Sequence, residues 1–81
     1  MLSVSDLISF IQSEFLLDND SLDVEEDLIR TGILDSFGMM KVAFFIESKI
    51  GRDIDVRDIH LENFQTVYKI YHLIKKKYSE N

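Results

Sequence analysis

The apolar positions near the start of the chain recur at helical intervals, with Val4, Leu7, Ile8, Ile11 and Phe15 falling on one side of a helix. That spacing predicts a helix over 3–17, with Ser3 or Ser5 as its N-cap. The pattern then stops. Residues 18–34 are acidic and carry no sustained period, which predicts a long loop pinned to the core by Leu22, Val24, Leu28 and Ile33. Periodicity resumes after Asp35. A second helix is expected from 36 to 50, capped by Asp35 or Ser36 and ended by Gly51. One or two helical turns are expected in 56–62, after Asp55. A final helix over 66–78 brings Val67, Ile70, Tyr71, Ile74 and Tyr78 onto one face, with Thr66 as its cap. Strand-like alternation is sustained nowhere, so the pattern predicts an all-α bundle of three main helices plus one short helix, with a long first loop.

The second helix carries more apolar surface than a core requires. Met39, Val42, Ala43, Ile46 and Ile50 form one stripe, an ordinary core face. Phe37, Met40 and Phe44 form another, beside Lys41 and Glu47. Three partner elements do not enclose a helix on all sides in a chain of 81 residues. The second stripe is therefore expected to be exposed at least in part and used for recognition. The plainer alternative is that Met40 or Phe44 wraps into the core.

Length and composition narrow the classes of function. A chain of 81 residues makes a single domain, 1–81, and at this size buries roughly 60% of its unfolded surface. A deep catalytic cleft is hard to build on that scale, so a binding or carrier module is favoured over an enzyme. There is no cysteine, which excludes disulfides and thiolate metal sites; any thiol chemistry has to come from an attached group. No basic stretch followed by a long apolar run opens the chain, and no segment approaches the ~20 apolar residues of a membrane span. A soluble cytoplasmic protein without membrane insertion is the expectation.

Charge adds a second exclusion. The formal net charge is −6, and residues 1–35 hold nine acids against Arg30 alone, whereas 36–81 hold six acids against eight bases. An acidic surface repels nucleic-acid phosphates and favours basic protein partners through steering. The run Lys75-Lys76-Lys77 is read as complementing the negative end of the last helix.

The sharpest local signal is Gly32-Ile33-Leu34-Asp35-Ser36-Phe37-Gly38-Met39-Met40. Taken alone, Asp-Ser before an apolar periodic run marks a helix start, and Ser36 is then a plain capping serine. The segment also resembles the Asp-Ser-Leu motif of acyl and peptidyl carrier proteins, with Phe37 in place of the leucine. The resemblance covers nearly the whole chain. It takes in the apolar first helix, the long acidic loop with Asp27-Leu28, and the glycine a few residues before the serine. It extends to Glu62-Asn63-Phe64-Gln65-Thr66-Val67, similar to the stretch that opens the last helix in many stand-alone carriers.

The resemblance implies a four-helix carrier-protein bundle whose Ser36 accepts a 4'-phosphopantetheine arm. A phosphodiester there would sit at a helix N-terminus, where free amides and the helix dipole favour negative charge. Asp35, by resemblance, helps to orient magnesium-bound coenzyme A while a phosphopantetheinyl transferase acts; its local role as N-cap is compatible with that. Ser36 is on this reading a modified residue, and the chain has no catalytic residue of its own. The second helix departs from fatty-acid-synthesis carriers, which present a strongly acidic one; here Lys41 and Lys49 stand on it, and Glu47 is its only acid after Ser36. The run looks more like stand-alone carriers served by discrete adenylating enzymes, including aminoacyl, aryl and D-alanyl carriers. The implied partners are the transferase, an acyl- or aminoacyl-adenylating ligase, and downstream acyl-transferring or tailoring enzymes, met through Phe37, Met40, Lys41, Phe44 and Glu47. The rival from another class is an unmodified helical adaptor docking through the Phe37/Met40/Phe44 face.

Other constellations are weaker. Ser36, His60 and His72 suggest a hydrolase only superficially, because the serine lacks a Gly-x-Ser-x-Gly elbow; His60 is expected in the short helix and His72 on the exposed side of the last. Asp18-Asn19-Asp20-Ser21-Leu22-Asp23 lacks the sixth-position glycine and twelfth-position glutamate of a calcium loop, so no metal is expected there. Asn19-Asp20-Ser21 matches a glycosylation acceptor, which without a secretory signal carries no meaning.

Overall fold

The computed structural model describes residues 2–16 and 21–78. Helix α1 spans Val4–Phe15, helix α2 Ser36–Ile50 and helix α3 Val67–Leu73; α3 continues into a wider, π-helical segment, Ile74–Tyr78. Among the described residues there is no strand. The all-helical prediction therefore holds, and α2 has the predicted limits.

Each helix begins where a short polar side chain replaces a missing acceptor. Ser3 Oγ accepts from the Asp6 amide while the Asp6 carboxylate accepts from the Ser3 amide, both at 3.0 Å. This reciprocal cap settles the choice between Ser3 and Ser5. Asp35 rather than Ser36 caps α2, its Oδ1 accepting from the Gly38 amide at 2.7 Å. Thr66 caps α3 through the Lys69 amide at 3.0 Å. At its other end α2 stops at Gly51, which takes φ 71° and donates its amide to the Glu47 carbonyl; a side chain there would be strained.

Helix α1 packs against both α2 and α3. Leu7 and Ile11 of α1, Val42, Ala43 and Ile46 of α2, and Val67 and Ile70 of α3 are fully shielded. Leu28 and Leu34 of the loop and Phe64 before α3 complete this core. Leu22 is also buried, and Val24 and Ile33 pack on the core from its edge, so the loop is pinned at the four positions its sequence singles out. Every buried side-chain nitrogen or oxygen among the described residues has a hydrogen-bond partner.

Two expectations need correction. The short helix is a single 3₁₀ turn, Val56–Asp58, capped by Asp55. It ends there because Ile59 leaves helical geometry, with ψ 82°, and Asn63 Nδ2 takes the Asp58 carbonyl at 2.9 Å. His60 consequently lies in the turn beyond it. The last helix is not uniform: its final turn widens, with Ile74 and Tyr78 still buried.

Candidate functional site

The loop entering α2 is anchored from both sides before it reaches Ser36. Asp27 Oδ1 accepts from the amides of Ile29 and Arg30 at 3.2 and 2.9 Å, an Asx turn that reverses the chain. The Leu34 amide then donates to the Leu28 carbonyl at 2.8 Å. Leu34 is buried two residues before Ser36, which leaves only Asp35 between the core and the helix start.

Gly38 fixes how closely that start approaches α1. A Cβ placed on Gly38 would lie 3.2 Å from Leu34 Cδ2, 3.3 Å from Phe15 Cε1 and 3.4 Å from Asp35 Oδ1. The absence of a side chain thus lets the last turn of α1 and the end of the loop close on the first turn of α2. Ser36, the first residue of α2, is exposed, as is Asp35. The first turn of α2 carries no acidic side chain. Amides in a first turn need acceptors from outside the helical ladder; here Asp35 takes the Gly38 amide with its side chain and the Met39 amide with its carbonyl.

The outer face of α2 continues from this point. Phe37 is 71% exposed and Phe44 59%, whereas Met40 between them is half-buried. Lys41 lies 5.6 Å from the Phe37 ring centroid, with its Nζ 3.8 Å from a Glu14 carboxylate oxygen on α1. Phe44 borders a shallow groove with Phe10, Glu14, Lys41, Phe45 and Ser48. Two of its lining rings, Phe10 and Phe45, stack with centroids 4.2 Å apart and planes 14° from parallel.

Glu47 stands apart from that stripe. It is half-buried, and its Oε2 accepts from the Ile54 amide at 2.8 Å, tying α2 to the segment beyond Gly51. Sequence reasoning also missed Val56 and Leu61, both more than half exposed; neither shows a periodicity that would have marked it.

The imidazoles do not gather at Ser36. His60 Nε2 lies 3.2 Å from Asn63 Nδ2, and the exposed His72 ring meets Tyr68 edge-on at 4.7 Å. No group of three or more His, Asp and Glu side chains suited to a metal ion occurs among the described residues. Asp18 and Asp20 of the calcium-like run, and Asn19 of the glycosylation match, lie outside those residues. Among the described residues no helix is long and apolar enough to cross a membrane. Neither a protein-family model nor a curated protein matches this chain.

Proposed function

We propose that this chain is a carrier protein, folded as a four-helix carrier-type bundle, whose Ser36 bears a covalent 4'-phosphopantetheine arm. The observation that carries the reading is an exposed serine at the first residue of a 15-residue helix, outside the core and with its neighbour Asp35 as the cap. The residues present fit the group. A phosphodiester at this position meets the positive end of the α2 dipole, and the neighbouring Asp35 carboxylate is engaged with the Gly38 amide.

In the attachment, Ser36 Oγ attacks the phosphorus next to pantetheine in coenzyme A. The Oγ–P bond forms as the bond to the departing adenosine bisphosphate breaks, and the serine proton passes to a base of the transferase. Asp35 Oδ1 is engaged with Gly38; the role of its carboxylate in orienting magnesium-bound coenzyme A is what the carrier resemblance implies. The arm's terminal thiol supplies the nucleophile that this cysteine-free chain lacks and holds an acyl or aminoacyl group as a thioester. The chain itself turns nothing over; it is a substrate of its loading enzymes.

The implied partners are a phosphopantetheinyl transferase, a discrete acyl- or aminoacyl-adenylating ligase, and downstream acyl-transferring or tailoring enzymes, all in the cytoplasm. The lysines of α2 and its aromatic outer face support an aminoacyl or specialised acyl cargo over a fatty acyl one. The test is intact mass after incubation with a phosphopantetheinyl transferase, coenzyme A and magnesium. One added phosphopantetheine is expected, absent in Ser36→Ala.

The exposure of Phe37 and Phe44 also suits an unmodified adaptor that docks a partner through the same face. That reading expects no change of mass in the same experiment, so one measurement separates the two.

A further inference from the structure

We infer that Gln65 is a positioning residue for Ser36, acting through Asp27 and the loop that leads into α2; the inference rests on the carrier reading above. Gln65 stands just before the α3 cap and holds the loop by two hydrogen bonds. Its carbonyl accepts from the Leu28 amide at 2.7 Å, and its Nε2 donates to Asp27 Oδ2 at 2.9 Å across 38 residues of sequence. Its Oε1 is occupied by Lys69 Nζ at 2.9 Å, which fixes the amide's orientation so that the NH₂ end faces Asp27.

Asp27 uses both of its oxygens. With Oδ2 on Gln65, Oδ1 is free to accept from the Ile29 and Arg30 amides and so to form the turn. The turn sets Leu28, whose carbonyl receives the Leu34 amide at 2.8 Å. Leu34 in turn faces the first turn of α2, where a Cβ added to Gly38 would stand 3.2 Å from Leu34 Cδ2. Hydrogen bonds, with the backbone between them, therefore link the start of α3 to Leu34, two residues before Ser36. The docking stripe Phe37–Lys41–Phe44 lies outside these links. A fault at Gln65 should accordingly disturb where the hydroxyl stands while leaving the docking surface intact.

Gln65→Glu sets a carboxylate against that of Asp27, and like charges at that separation repel. The double variant Asp27→Asn with Gln65→Glu restores the pair with its polarity reversed. The new carboxamide at position 27 donates to the new carboxylate at position 65, its carbonyl still accepts from Ile29 and Arg30, and Lys69 gains an ion pair.

The experiment measures kcat and KM for phosphopantetheine transfer to wild-type, single- and double-variant chains, at a temperature where circular dichroism finds each fully folded. For Gln65→Glu, kcat is expected to fall about tenfold or more with KM unchanged, since small misplacements of a reacting atom are costly. The double variant is expected to recover to within about twofold of wild type. Should Gln65→Glu fail to fold, Gln65→Met, which keeps the length and drops the donor, takes its place as the single variant. A wild-type chain that stays unmodified overturns the carrier reading, and the positioning role with it. Wild-type kcat in the single variant overturns the positioning role alone, as does a loss confined to KM or a double variant that recovers nothing.

Discussion

The phenol of Tyr78 donates to Asp58 Oδ2 at 2.6 Å and so closes the end of the last helix onto the 3₁₀ turn. The phenolic oxygen of Tyr78 in turn accepts from the Asp55 amide at 3.0 Å. Lys77 Nζ approaches the Asp58 carboxylate at 3.0 Å, and the Arg52 guanidinium lies 5.4 Å from the Tyr78 ring centroid. Tyr78→Phe keeps the ring and removes both hydrogen bonds, leaving a backbone amide and most of a shielded carboxylate without that partner. The expected cost is about 1–3 kcal/mol. In urea unfolding the midpoint should fall while the slope stays unchanged, since the surface exposed on unfolding is nearly the same.

The carboxylates of the loop and the 3₁₀ turn make acid the vulnerable direction. Hydrogen bonds from the Arg57 guanidinium and amide hold Asp55 down to about 2. Asp58 is lowered by the Tyr78 phenol and Lys77, and Asp27 by the Arg30 amide and Gln65. In each case the folded chain binds its proton less readily than the unfolded one. The stabilisation is therefore full above the ordinary carboxylate value of about 3.9 and drains away as pH falls through the folded values. Tyr78 shifts the other way: burial, then the Asp58 carboxylate, raises its phenol. Its contribution is full below the ordinary phenol value of about 10 and is lost as pH rises through the folded one. Urea midpoints measured across pH should fall at both ends, and Tyr78→Phe should flatten the alkaline limb.

What could be read from the sequence was what the chain decides locally. Asp35 and Gly51 bracket α2 because a capping carboxylate and a left-handed residue act within one turn of where they stand, and Ser3 with Asp6 does the same for α1. The exposed Ser36 and the outward Phe37 and Phe44 follow from those limits and from the 3.6-residue period. Glu47 illustrates the failure: its helical position puts it beside the apolar stripe, but its carboxylate is drawn to the Ile54 amide around the Gly51 corner. Gln65 likewise finds Asp27 across 38 residues, and Tyr78 finds Asp58 across 20. No periodicity carries such pairings.

Gly38 offers a test of how tightly the start of α2 is seated. Alanine within a helix is favoured over glycine by about 1 kcal/mol, so an open site would be stabilised by Gly38→Ala. Here the new methyl meets Leu34 at 3.2 Å and Phe15 at 3.3 Å. Phe15 is half-buried and has room to yield; Leu34 is enclosed and does not. Overpacking costs of about 1–3 kcal/mol exceed the helical gain. A net loss of about 1 kcal/mol is expected by thermal or urea unfolding, and Gly38→Val should lose more.

The outer stripe of α2 should behave in the opposite way. Phe37 and Phe44 contribute little to the core, so Phe37→Ala and Phe44→Ala are expected to change stability by no more than about 0.5 kcal/mol. Truncating a core neighbour on the same helix gives the contrast: Ile46→Ala, at a fully shielded position, should cost about 2–5 kcal/mol. Function should respond in reverse. On the carrier reading, each Phe→Ala variant raises KM for the transferase or the loading ligase and leaves kcat nearly unchanged, because docking is weakened while Ser36 keeps its place. Lys41→Ala adds a finer test. Its ammonium is shared between the Phe37 ring and Glu14, so its removal should alter the salt dependence of KM more than its value at moderate ionic strength. If both Phe→Ala variants keep wild-type KM for every enzyme that modifies or loads the chain, the stripe is not the docking face, and the exposed Val56 and Leu61 become the next surface to truncate.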